Sequence, residues 1–264
     1  MDFSNKTIWI TGVTSGIGEQ LAHQLARRGA CLILSARRED KLRDVQQQLT
    51  NPTAHHIVAL DLADPEQVLA TVSQALADVG AIDILINNAG MSQRAFAAET
   101  ALAVDRRLME VNYLGTVAMT KALLPQMLQR GTGTIVSVSS VAGKVGSQSR
   151  SGYSAAKHAV VGFMDSLRAE IAQRGIHVIV ACPGWVQTNI SINALNAKGD
   201  PENKMDATIA NGITAQQCAA AIIAAIEKNK PEIIIGKGLS RLAPTIKRFF
   251  PGFYRWMIGR RVYR

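Results

Sequence analysis

Short β-branched runs alternate along this chain with longer stretches in which apolar residues recur every three or four positions. The runs at 7–11, 31–35, 56–60, 82–86, 134–138, 177–181 and 232–235 predict strands. The longer period predicts helices over about 16–28, 39–50, 65–79, 153–174 and 214–229. Between 100 and 130 it predicts either two helices or one kinked near Pro125. The strands are continuously apolar instead of strictly alternating, which marks a parallel sheet covered on both faces. Strand–helix alternation with right-handed crossovers then gives a doubly wound α/β fold. Such a fold binds its ligands beyond the carboxyl ends of the strands.

The unusual residues of this chain fall at those ends. Gly12 to Gly18 follow the first strand, Ala36 and Arg37 the second, and Asp61 the third; Asn87 to Gly90 follow the fourth, Ser139 and Ser140 the fifth, and Pro183 and Gly184 the sixth. A length of 264 residues, 47% of them hydrophobic, suffices for one sizeable core and is read as a single α/β domain over 1–240. Cys31, Cys182 and Cys218 are widely spaced, with no C-x-x-C pair. They read as reduced, buried thiols, so neither disulfides nor a metal site is expected. The first six residues lack a signal-peptide core, and no apolar run approaches the ~18 residues that span a bilayer. A cytoplasmic protein is the expectation, with peripheral membrane association as a variant of it.

The glycine-rich turn Thr11-Gly12-Val13-Thr14-Ser15-Gly16-Ile17-Gly18 joins the first strand to the first helix. Glycines there allow a tight turn and a close approach of a pyrophosphate to the backbone, while the helix N-terminus supplies N–H groups. The second strand ends at Ala36, where enzymes using NAD carry an acidic residue for the ribose hydroxyls, and Arg37 and Arg38 follow. A guanidinium fork suits a 2′-phosphate far better than a neutral diol, so NADP(H) is the expected cofactor. Asp61, followed by Leu62, is placed to bond the adenine amine, with Asp64 the more natural cap of the next helix. Asn88, Ala89 and Gly90 read as a wall beside the cofactor.

Tyr153 and Lys157 are four residues apart in a helix-favouring stretch, hence on one face. A positive charge there is expected to lower the tyrosine pKa, fitting it to exchange a proton with a carbonyl or alcohol oxygen. Together T-G-x-x-x-G-I-G, N-N-A-G, a serine thirteen residues before the tyrosine, Y-x-x-x-K and P-G-x-V-x-T resemble the short-chain dehydrogenase/reductase family, over about residues 5–190. The resemblance implies a Rossmann-type fold of seven parallel strands, and hydride transfer between a nicotinamide and a small-molecule carbonyl or alcohol. It implies Tyr153 as acid/base, Lys157 as the group that lowers its pKa and bonds the nicotinamide ribose, and Ser140 as the holder of the substrate oxygen. It also implies Asn112 as the holder of a proton-relay water. Pro183, Gly184, Val186 and Thr188 would lie against the nicotinamide, with Thr188 on its carboxamide. The polar segment at about 189–213 would be the substrate lid. A homodimer or homotetramer through the 100–130 and 153–174 regions is also implied. The alternative is a nucleotide-sensing or scaffold protein with the same fold; such proteins usually lose the tyrosine or the lysine, and both are present here.

The net charge of +9 is uneven. Eight of the 29 basic residues lie between 233 and 264, a stretch with no acidic residue, which leaves 21 basic against 20 acidic elsewhere, a net of +1. Six aromatics fall between 249 and 263. Basic and aromatic residues interleaved over 241–264 point to a peripheral membrane contact or to a partner-subunit interface. A lipophilic substrate (3-oxoacyl, steroid-like or aldehyde) fits such a tail, and no nucleic-acid partner is expected.

Overall fold

A computed structural model of the chain describes residues 1–260. The strands are β1 (Thr7–Thr11), β2 (Cys31–Ala36), β3 (His56–Ala59), β4 (Ile84–Asn87), β5 (Gly133–Val138), β6 (Ile176–Pro183), the short β7 (Val186–Gln187) and β8 (Ile213–Thr214), and β9 (Glu232–Ile235). Seven form one parallel sheet in the order β3-β2-β1-β4-β5-β6-β9, and β7 pairs with β8. The helices are α1 (Gly16–Ala26), α2 (Glu39–Gln48), α3 (Pro65–Val79), α4 (Leu102–Met109), α5 (Gly115–Arg130), α6 (Ser151–Glu170), α7 (Ala207–Ala210), α8 (Ala215–Glu227), α9 (Leu239–Phe249) and α10 (Pro251–Arg260).

Successive residues of a strand point to opposite faces, and here both faces are dry. Ile8 and Ile10 enter a layer with residues of α1, α2 and α8, whereas Trp9 between them enters a layer with residues of α3, α5 and α6. Trp9 keeps its polar edge satisfied by donating to Ser35 Oγ at 2.8 Å. The doubly wound Rossmann-type fold with helices on both faces is thus what the continuous apolar runs require.

Three local differences from the sequence reading have physical causes. β4 begins at Ile84, not at 82, because the Ile82 N–H donates to the Gln126 side chain at 3.1 Å and its carbonyl accepts from Arg130, taking both out of the ladder. The 100–130 region is two helices, but no kink falls at Pro125. That proline lies within α5 on an exposed position, where the carbonyl it leaves unbonded can face water. The break is a wide π-type turn, Glu110–Leu114, which carries the fully buried Asn112. The third lies in the tail, which forms α9 and α10 folded back on the body; Arg261, Tyr263 and Arg264 lie outside the described residues.

Candidate active site

A cleft of about 710 Å³ opens over the carboxyl ends of β1, β2, β4, β5 and β6. Its floor is the turn between β1 and α1. Gly12 has φ +72°, and a Cβ there would lie 2.7 Å from Ala89 Cα. A Cβ on Gly18 would lie 2.1 Å from the Gly12 carbonyl oxygen, so the turn and the start of α1 close up only around glycine. Ser15, the N-cap of α1, makes no side-chain capping bond, which leaves the first-turn N–H groups without a side-chain cap at the cleft. Bare backbone and a helix N-terminus in one concavity fit a dinucleotide pyrophosphate.

Thr14, Ser15, Gly16 and Ile17 line this floor, and Gly18 sits beneath it. Asn88 binds the turn to the end of β4, its Nδ2 donating to the carbonyls of Thr11 and Gly12 at 3.0 and 3.1 Å. Ala89 and Gly90 continue that wall. Arg37 and Arg38 are exposed on the rim beside Ala36, and the next residue, Glu39, is tied to Arg43. Asp61 is not the cap of α3; that is Asp64, which accepts from Gln67 N. Asp61 instead accepts from Ala63 N at 3.0 Å and faces Arg107 at 3.7 Å, with Leu62 beside it in the cleft. Pro183, Gly184, Val186 and Thr188 form the opposite wall, where the Thr188 side chain covers Gly16 closely enough that a Cβ there would lie 2.9 Å from its Cγ2.

The residues of chemical interest meet at the far end. Ser140 lies two residues beyond the end of β5; its hydroxyl accepts from Ala142 N at 3.1 Å and donates to the Pro183 carbonyl at 3.3 Å. Tyr153 and Lys157 come from the first turns of α6, both buried and both on the cleft wall. Asn112 lies behind that wall. It accepts from Met91 N and donates to Met91 O, each at 3.0 Å, leaving one lone pair and one N–H for a further partner. Gly90 makes room for this packing, since a Cβ there would lie 2.6 Å from Asn112 Oδ1 and 3.3 Å from Lys157 Nζ.

The electrostatics differ from the sequence expectation. Burial, the largest effect, pushes the Tyr153 phenol above its ordinary value, while a hydrogen bond with Ser140 and the charge of Arg150 pull it down, so the phenol is raised and not lowered. The Lys157 ammonium donates to the Val138 carbonyl at 2.9 Å, and burial brings its own pKa down to about 8.

Several site residues escaped the sequence reading. Gln93 is fully buried and accepts from the N–H groups of Gly152 and Tyr153 at 3.0 and 3.3 Å, capping the helix that carries the tyrosine. It comes from some 60 residues earlier in the chain, so no local spacing reveals it. Arg107, Met91, Arg150, Trp185, Ile190, Leu195 and Ile209 also line the cleft. The segment after Thr188 is stitched to the loop after β4: Arg94 N donates to Leu195 O, Leu195 N to Ser92 O, and Arg94 pairs with Asp206.

A parallel sheet in this order, with its cleft where the strand order reverses beside β1, is the architecture of dinucleotide-binding oxidoreductases. The chain belongs to the short-chain dehydrogenase family, whose sequence model matches residues 6–199. It is 41% identical to a Drosophila melanogaster dehydrogenase/reductase SDR family protein 7-like, over 97% of this chain and 80% of that one. It is 40% identical to the Bos taurus dehydrogenase/reductase SDR family member 7B, over 97% and 81%. Among solved structures it resembles a short-chain dehydrogenase from Streptomyces avermitilis, with a TM-score of 0.83 and 30% identity over 97% of each chain. It also resembles a Burkholderia cenocepacia short-chain dehydrogenase in complex with NADP, with a TM-score of 0.79 and 26% identity over 98% and 99%. A Burkholderia phymatum relative in complex with NAD has a TM-score of 0.81 and 25% identity over 100% and 98%.

Proposed function

We propose that this oxidoreductase uses NADP(H) and interconverts a carbonyl and a secondary alcohol on a substrate with an apolar body. The observation that carries the reading is the meeting of Ser140, Tyr153 and Lys157 at one end of a glycine-floored cleft. When bound, the nicotinamide supplies or accepts the hydride. The protein's task is the oxygen. As negative charge builds there, Tyr153 gives its proton and Ser140, within hydrogen-bonding reach of it, holds the same oxygen with a second hydroxyl. In alcohol oxidation both steps reverse. The Lys157 ammonium, buried a short distance from Gly90, places a positive charge where an alkoxide or phenolate gains from it and is the group that would hold the nicotinamide ribose. Asn112 fixes the Met91 backbone behind these groups and keeps capacity for a relay water.

Gly12, Gly16 and the first turn of α1 would hold the pyrophosphate, Asp61 the adenine amine, and Thr188 the carboxamide. Arg37 and Arg38 beside Ala36 favour a 2′-phosphate over a free ribose diol. Met91, Trp185, Ile190, Leu195 and Ile209 at the substrate end support an apolar substrate body.

Titration of NADPH and NADH by cofactor fluorescence, followed by a ketone and aldehyde screen read by NADPH absorbance, tests the proposal. A charge-assisted bond worth about 1.5–3 kcal/mol predicts roughly 10- to 100-fold tighter NADPH binding, lost in Arg37→Ser with NADH binding unchanged. Equal affinity for both cofactors would overturn the choice of NADP(H). Tight NADPH binding with no turnover on any carbonyl would favour the sensing or scaffold alternative.

A further inference from the structure

We propose that α9 and α10 form a docking surface for an anionic lipid bilayer, mounted on the loop that leads from Ser140 to Tyr153. Leu242 and Phe249 are seven residues apart, on one stripe of α9, and are 56% and 66% exposed. On α10, Phe253, Trp256 and Arg260 share a second stripe, with both rings more than half exposed. Phe250, between the helices, is exposed as well. These five are among the eleven large apolar side chains that the described residues leave exposed, and they are gathered within 15 residues of the chain. Phe253 and Trp256 stack at 5.7 Å, and the Arg260 guanidinium lies 4.6 Å from the Trp256 ring centre. Arg248 sits over Phe249 in the same way.

The charge decides between a bilayer and a second copy of the chain. Arg241, Lys247, Arg248, Arg255 and Arg260 lie on these two helices, and neither helix holds a carboxylate. Lys247 is tied to the body, but a twofold contact would still press the remaining arginines against their copies with no acid on either helix to pair them. An anionic headgroup layer accepts the cations, and the aromatic rings suit its interface. Neither helix is long and apolar enough to cross a membrane, so the geometry is that of lying on the surface.

The opposite faces are fastened. Ala243 and Tyr254 are buried against Val141 and Val145. Tyr254 Oη donates to Gly146 O at 2.8 Å, and Lys247 Nζ to Lys144 O at 2.9 Å. A bilayer on α9 and α10 would therefore lie beside the substrate end of the cleft, so that an apolar substrate could enter from lipid. That last consequence rests on the proposed carbonyl chemistry, whereas the docking itself does not.

Flotation of the full chain, without cofactor or substrate, is measured with vesicles of phosphatidylcholine alone and of phosphatidylcholine mixed with phosphatidylglycerol. The wild type is expected to float with the mixed vesicles and to lose them at high salt. The variant Arg248→Gln/Arg255→Gln/Arg260→Gln should partition roughly 100-fold more weakly, from the attraction each cation contributes near an anionic surface. Phe249→Ser/Phe253→Ser/Trp256→Ser should fail to float, although all six substituted side chains are exposed and the fold, followed by circular dichroism, should be unchanged. Absence of wild-type flotation at low salt, or equal flotation of all three proteins, would overturn the proposal. So would an aromatic variant that changes only the oligomeric state.

Discussion

Replacing Lys157 by methionine should make the protein inactive without making it less stable. The ammonium is buried and its pKa falls from 10.5 to about 8, so holding the charge in place costs about 3 kcal/mol at pH 7, at 1.36 kcal/mol per pH unit. Methionine removes that cost and fills similar space, but it leaves the Val138 carbonyl without its 2.9 Å donor, which costs about 1–3 kcal/mol. The variant is thus expected to be between equal to wild type and about 2 kcal/mol more stable near neutrality. The sharper signature is the pH dependence. Because the folded-state value lies below the unfolded one, the folded protein releases this proton first, and wild-type stability gains from alkalinity between about 8 and 10.5. Between about pH 7 and pH 9.5 the advantage of Lys157→Met should therefore shrink by about 2 kcal/mol, or roughly 4–8 °C in Tm for a chain of this size. Urea unfolding of both proteins across that range measures it. A stability difference that stays flat with pH, or a variant several kcal/mol weaker at neutrality, would refute the buried-charge argument.

Tyr153→Phe should lower turnover by about 10²- to 10⁴-fold, the usual share of a positioned proton donor, while leaving NADPH affinity unchanged by fluorescence titration. Retained turnover would remove Tyr153 from the chemistry. Gly90→Ala sets a methyl 2.6 Å from Asn112 Oδ1, a buried atom held by Met91, and should cost about 1–3 kcal/mol in thermal unfolding along with activity. An unchanged Tm would mean the wall gives way more easily than its packing indicates. Gln93→Ala strips the acceptor from two N–H groups at the start of α6 and should lower kcat more than cofactor affinity; stability should fall by about 1–3 kcal/mol. Unaltered kcat would show that Tyr153 is positioned without it.

What the sequence revealed was whatever the local chain sets by itself. Alternation of strand and helix, the glycines of the β1–α1 turn, and the four-residue step from Tyr153 to Lys157 are short-range facts, and the fold could only gather them at one edge of the sheet. What it concealed was long-range. The Gln93 cap of α6, the Asn112–Met91 pairing and the return of Tyr254 to Gly146 each join segments separated by 21 to 108 residues. β4 starts two residues later than the apolar run because side chains of α5 take up the polar groups of Ile82, a competition that an apolar run does not record. The upward direction of the Tyr153 pKa has the same origin. Spacing on a helix brings two side chains to one face, but the direction of a pKa shift is decided by burial, and burial comes from β4, β5 and the turn around Asn112.

That burial explains why the site is organised around absent side chains. Lys157 makes one protein hydrogen bond, to Val138, where an ammonium can donate three, and it lies against Gly90 where a single methyl would crowd both it and Asn112. Nothing in the packing of α6 calls for a charge there; an apolar residue of similar length would serve the core as well. A cation held at a cost, beside a phenol raised by the same dryness, is the pattern of a place where stability has been given up for electrostatics. In water the two groups would exert little influence on an oxygen between them. Enclosed by Gly90, Asn112, Val138 and Ser140, their charge and proton would act at the far end of the cleft with little screening, and on the proposed function the glycine and the asparagine would belong to the working of the site as much as the tyrosine.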